Sequence, residues 1–191
     1  PFPFDDPKPI NRPKLSEKTV DSVVSGGTPN VAKKFVAGLA DRVKAEGVIV
    51  GIDGYTTANW NLFVNLIARE CVINGFEFEA VDSTAAVLKS GKEIDDMIDP
   101  LLIWDTEIDP TLLFGKLYHG GYIGLFDEAK MADFKAAVPA KKAPGKLVVV
   151  AGYGSMIPEL RDMYDVKCWF DLTPMKTMLR IRGGEYANLG K

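Results

Sequence analysis

The sequence predicts one three-layer α/β domain on a mainly parallel sheet, and three observations predict it. The apolar run at residues 48–53 ends in small and acidic side chains, as a buried parallel strand does when it delivers a loop at its carboxyl end. Trp60, Phe63, Val64, Ile67 and Cys71 then recur at helical spacing, and residues 76–81 form a second strand ending in Asp82-Ser83. Strand, helix, strand in that order requires a crossover and so parallel pairing.

Each remaining element has its own signal. Residues 1–27 carry Pro1, Pro3, Pro7, Pro9 and Pro13, then Val20, Val23, Val24 and the Gly26-Gly27 break, which reads as an extended arm ahead of a domain at 28–191. At Thr28-Pro29 a hydroxyl cap precedes a proline, and Val31, Phe35, Leu39 and Val43 keep one helical face until Gly47. Asn74-Gly75 stops the second helix. The middle of the chain predicts a short helix near 93–98, an apolar run at 101–104 and a helix at 128–137, with a solvated loop at 140–145. Strands at 147–151 and 167–172 follow, and Thr173-Pro174 opens a last helix through Arg182 that Gly183-Gly184 ends.

Composition sets limits. A chain of 191 residues, 47% apolar and 26% charged, fills one core and does not suggest two domains. A formal net charge of −3, with lysines and arginines scattered among acids, provides no footprint for nucleic acid or for an anionic membrane. The longest apolar runs are strand length, so no membrane span is expected, and with no secretory signal a cytoplasmic location is. Cys71 and Cys168 stand in separate apolar segments and read as core thiols.

The chemistry concentrates where the first strand meets the second helix. Gly51, Asp53, Gly54, Tyr55, Thr56 and Thr57 occupy the position at which free backbone N–H groups and a helix dipole hold a phosphate. A tight structural turn accounts for the same residues, and Asp53 reads as a turn aspartate that could also orient a loop amide or a metal. A Walker A loop needs a second glycine, then lysine, then a hydroxyl residue, and no lysine occurs between Gly51 and Arg69. Asp82 ends the second strand at the same sheet edge, where it either activates an acceptor hydroxyl or caps a turn. Arg180 and Arg182 lie two positions apart, so a regular helix aims only one of them at a phosphate; both also suit a helix carboxyl terminus. Gly152-Tyr153-Gly154-Ser155 lacks the spacing of a nucleophile elbow. His119, the one histidine, forms neither a metal cluster nor a hydrolase triad with its neighbours, so no metal site is expected.

The order of these parts, Gly51-Ile52-Asp53-Gly54, Asp82, the strand at 146–151, Cys168-Trp169-Phe170-Asp171 and then Arg180 and Arg182, resembles that of uridine-kinase-like P-loop kinases. The resemblance implies a P-loop NTPase-like fold, a phosphate site at the first loop, a catalytic role for Asp82 on an acceptor hydroxyl and for Arg180 or Arg182 on the transferring phosphate, and a nucleotide with Mg²⁺ as ligand. The tail at 183–190, with residues 113–117 and 124–127, is also similar to the kinase-like region ahead of the cupin in bacterial class I mannose-6-phosphate isomerase-like proteins.

These readings lead to one expectation and two rivals. The expectation is a degenerate P-loop domain that binds a nucleotide or sugar phosphate without efficient transfer, as an accessory to a cupin domain in the second resemblance. The first rival is a divergent small-molecule kinase borrowing a cation from Lys89, Lys92 or Arg180. The second is a non-catalytic assembly module, partnered by a cupin or by another copy of itself.

Overall fold

The strand β1 (Val48–Gly54) is buried at all 7 of its residues, which makes it the centre of the sheet. The structure, a computed structural model, describes residues 14, 16–22, 26–105, 107–109 and 115–185. In chain order the other elements are α1 (Glu17–Ser22), α2 (Gly27–Glu46), α3 (Asn61–Ile73), β2 (Glu77–Asp82), α4 (Ser83–Val87), α5 (Gly91–Ile98), α6 (Glu128–Ala137), β3 (Lys146–Ala151), β4 (Val166–Phe170) and α7 (Pro174–Arg182).

The four strands form one sheet in the order β2-β3-β1-β4, and every pairing is parallel. Val48, Val50, Ile52, Leu147 and Val149 face one way and pack against Ala32, Val36 and Val43 of α2 and Phe63, Ile67 and Cys71 of α3. Ile49, Val148 and Val150 face the other way, against Val87, Phe126, Phe134, Val138, Leu160 and Tyr164. Alternating side chains of unbroken apolar strands thus feed two cores, one on each face, as three layers require. Cys71 is buried in the first core and Cys168 is half-buried against it. No helix among the described residues is long and apolar enough to cross a membrane.

The helix signals hold with local adjustments. Thr173 accepts from the Lys176 N–H at 3.3 Å and Pro174 follows it, so α7 starts where the cap and proline predict. At α2 the expected Thr28 cap is absent: the helix starts at Gly27, behind Gly26 in the left-handed region at φ 93. Thr28 and Pro29 therefore lie inside the first turn, where a missing N–H costs nothing because no intrahelical acceptor exists for it. The predicted arm includes a helix, α1, where the Ser16 hydroxyl accepts from the Thr19 N–H at 3.2 Å; residues 1–13, 15 and 23–25 of that arm lie outside the described residues. Residues 101–104 join no strand of the sheet, and Leu102 makes a single bridge to Gly115. Residues 113–114 and 186–190 of the segments that carry the second resemblance also lie outside the described residues.

Ion pairs tie down the amino-terminal edge of the sheet. Lys146 reaches Glu77 and Glu79, each at 2.8 Å, and Lys141 also pairs with Glu79. Asp165, just before β4, accepts from the Ile49 N–H at 2.8 Å and pairs with Lys142 at 2.9 Å and Arg42 at 3.3 Å.

Candidate functional site

The carboxyl edge of the sheet is where the chain opens a crevice. From β1 the chain leaves toward α3 in the first core, while from the neighbouring β3 it leaves toward Leu160 and Tyr164 in the second. Adjacent parallel strands whose connections depart to opposite faces leave a cleft between them, and ligands of open α/β sheets bind there. A cavity of about 450 Å³ occupies this edge, lined by Asn59, Trp60, Asn61, Asp82, Thr84 and Tyr153 among others.

The predicted phosphate residues divide between strand and loop. Gly51 lies inside β1, paired with Val150 and Lys167, and a Cβ there would stand 2.4 Å from the Tyr164 ring. Its missing side chain thus admits an aromatic ring. Gly54 is the last residue of β1, opposite Phe170. Asp53 is buried, and its carboxylate accepts from the N–H of Gly54 at 2.8 Å and of Met156 at 3.0 Å. Burial pushes the Asp53 carboxyl above its ordinary range, against the opposing pull of the Met156, Gly54 and Gly154 amides. Its role in this arrangement is to lace the end of β1 to the loop after β3, helped by Ser155, whose hydroxyl donates to the Ile52 carbonyl at 2.7 Å. Tyr122, near Asp53 and still 47% exposed, has its phenol pushed up to about 12, by desolvation first and by Asp53 second.

Tyr55, Thr56 and Thr57 form the loop proper, and most of its polar backbone is already committed. The Tyr55 N–H donates to the Phe170 carbonyl at 2.8 Å, and the Ala58 N–H to the Tyr55 carbonyl at 2.8 Å. The Thr57 N–H donates to the Tyr153 hydroxyl at 3.0 Å. From α7, Thr177 donates to the Thr56 carbonyl at 3.2 Å and Arg180 to the Thr57 carbonyl at 2.6 Å. Thr57 itself sits at φ 69, a conformation that a β-branched residue adopts only when its surroundings enforce it.

Of the two predicted arginines, the structure brings Arg180 to the loop, where Glu185 also approaches its guanidinium at 3.7 Å. Arg182 is exposed and forms no ion pair with any described residue. Asp82 lines the cavity and also caps α4, accepting from the Ala85 N–H at 3.2 Å. The capping reading therefore holds, through a carboxylate that also lines the cavity. Lys89 donates to the Gly124 carbonyl at 2.7 Å, Lys92 pairs with Asp96 at 2.6 Å, and neither lines the cavity. No group of three or more His, Cys, Asp or Glu side chains among the described residues is placed to hold a metal.

Sequence reasoning missed Tyr153, Trp60 and Thr177 as site residues. Trp60 and Tyr153 meet edge to face, ring centres 5.0 Å apart, and form one wall of the cavity. Thr177 was available as a signal: it precedes Arg180 by three positions, so the two share one helix face. Tyr153 had none beyond its place between two glycines, because the partners that define it lie elsewhere in the chain.

The family model described as a domain of unknown function, DUF8485, matches residues 33–191. The chain belongs to the DUF8485 family. No curated protein sequence matches it. Among solved structures it is similar to one described as a possible uridine kinase from Bacillus stearothermophilus, with a TM-score of 0.47 and 11% identity over 82% of this chain and 89% of that one. In this DUF8485 domain the cavity, the loop after β1 and the turn at residues 152–155 share the carboxyl edge of the sheet.

Proposed function

We propose that this domain binds a small phosphorylated ligand bearing free hydroxyls, a nucleotide or a sugar phosphate, and does not transfer its phosphoryl group. The observation that carries this reading is the cavity at the carboxyl edge of the sheet, whose walls combine the amino terminus of α3 with the ends of β2 and β3 and the Asp82 carboxylate. First-turn amides and the helix dipole favour an anionic group. A carboxylate accepts from hydroxyls and repels the anion, so the two ends of such a ligand are told apart. Trp60 adds an aromatic surface for a sugar or base ring.

Transfer is disfavoured on electrostatic grounds. Phosphoryl transfer depends on cations placed against the migrating group. Among the described residues no lysine or arginine lines the cavity, and the guanidinium that reaches the loop, that of Arg180, is held by the Thr57 carbonyl and Glu185.

Calorimetric titration with nucleotides, nucleosides and sugar phosphates, with and without Mg²⁺, tests the reading. Binding to a phosphorylated member, weakened by Trp60→Ala, is expected, without release or transfer of phosphate. Silence across the panel would remove the binding claim, and Mg²⁺-dependent turnover would remove the claim of no transfer.

A further inference from the structure

We propose that the Thr57 amide is an anion-binding position whose occupant in this structure is the Tyr153 hydroxyl, and that a ligand's phosphate oxygen takes that position by displacing it. The inference rests on the cavity being a ligand site and identifies how its ligand reaches the loop.

Four amides of the β1 end and loop have identified acceptors, and they are not equivalent. Those of Tyr55 and Ala58 donate to backbone carbonyls, which cannot leave without unravelling the turn. That of Gly54 donates to Asp53, a buried carboxylate fixed from its other oxygen by Met156. The Thr57 amide alone is held by a neutral side-chain hydroxyl, and the residue supplying it lines the cavity. A phosphate oxygen is a stronger acceptor for an N–H than a neutral phenol is, because the bond becomes charge-assisted.

Two further features single out Thr57. Its hydroxyl is buried without a partner while the residue is only 1% exposed, so a polar group stands unsatisfied beside the amide in question. Its φ of 69 strains a β-branched residue, and the Tyr153 and Arg180 contacts hold its N–H and C=O on either side of that strain. Tyr153 is itself anchored through its backbone N–H, which donates to the Thr84 hydroxyl at 2.8 Å. Its main chain is thus held independently of the hydroxyl that occupies the Thr57 amide.

The test compares the wild type with Tyr153→Phe, which keeps the ring edge against Trp60 and removes the acceptor. Inorganic phosphate is the probe, read by the nitrogen–proton NMR shift of the Thr57 amide. Removing the competing hydroxyl is expected to tighten phosphate binding roughly fivefold, the worth of about one neutral hydrogen bond, with the Thr57 amide moving on titration. Equal affinity in both proteins, or a Thr57 amide that stays still while phosphate binds, would overturn the displacement. If the wild type nonetheless binds a nucleotide or sugar phosphate, the functional reading survives that result; if neither protein binds any of these ligands, both ideas fail. Should Tyr153→Phe not fold, the wild type carries the test: the Thr57 amide and the Tyr153 ring signals are both expected to shift as phosphate is added, and a Tyr153 ring whose signals stay still while phosphate binds would overturn the proposal.

Discussion

The Arg180 guanidinium donates to the Thr57 carbonyl at 2.6 Å, joining residues 123 positions apart and tying α7 to the loop after β1. Thr177, one turn earlier on α7, makes the parallel contact to Thr56. The last helix is thus strapped over the loop by its side chains, and Arg180 acts on the loop's shape.

That contact predicts different outcomes for the two arginines. Arg180→Ala removes a charged donor from the carbonyl of the buried Thr57 and is expected to lower unfolding free energy by about 1–2 kcal/mol. Arg182→Ala, at an exposed position without a described partner, should stay within about 0.5 kcal/mol of the wild type. Urea unfolding of both variants reads the difference; equal losses would mean that α7 does not hold the loop through Arg180.

Gly51 is predicted to be indispensable for packing. An alanine methyl there meets the Tyr164 ring, which is itself buried at 5% exposure in the second core. Gly51→Ala should cost about 1–3 kcal/mol by overpacking, read as a lower urea midpoint at unchanged slope. An unaltered midpoint would show that the Tyr164 ring moves aside freely.

How much of this was legible in the sequence depends on the range of each interaction. Helix α6 begins at Glu128 and ends at Ala137 as its local pattern predicts, because the Asp127 cap and its target Lys130 are three residues apart. Strands β1 and β3 were legible because apolar runs of that length have few alternatives to a buried parallel sheet. The site was legible in its placement and not in its contacts. Thr57 and Tyr153 are 96 residues apart, and Ile49 and Asp165 are 116 apart; nothing local to either partner marks such a pair. Gly51 also has a packing reason to be small, since it admits Tyr164, and that reason is invisible without the tertiary contact.

Asp165 gives a prediction about pH. Burial pushes its carboxyl up, but the Ile49 N–H, Lys142 and Arg42 outweigh burial, so its folded value lies below the usual 3.8. A lowered folded pKa means that the native state binds fewer protons than the unfolded chain, so the stabilisation is present above pH 3.8 and is lost as pH falls through the folded value. Asp165→Asn should therefore cost stability at neutral pH, by about 1–3 kcal/mol for the lost charged acceptor. The gap to the wild type should narrow steadily below pH 3.8. Unfolding curves at several pH values check this, and a gap that is constant or widens toward acid would contradict the assignment.

Asp82 permits its two duties to be separated. As a cap it accepts from the Ala85 N–H, a task that a serine hydroxyl performs nearly as well. As a cavity acid it supplies the negative charge among the lining residues, which serine does not replace. Asp82→Ser should therefore stay within about 0.5 kcal/mol of wild-type stability, whereas Asp82→Ala should lose about 1 kcal/mol with the cap. Both variants are expected to weaken binding of the hydroxyl-bearing ligand alike, because both lack the carboxylate. Thermal unfolding and calorimetry on the same preparations read the two duties independently. If Asp82→Ser bound as tightly as the wild type, Asp82 would be a cap alone, and the hydroxyl end of the ligand would have to be sought at Asn59, Asn61 or Thr84.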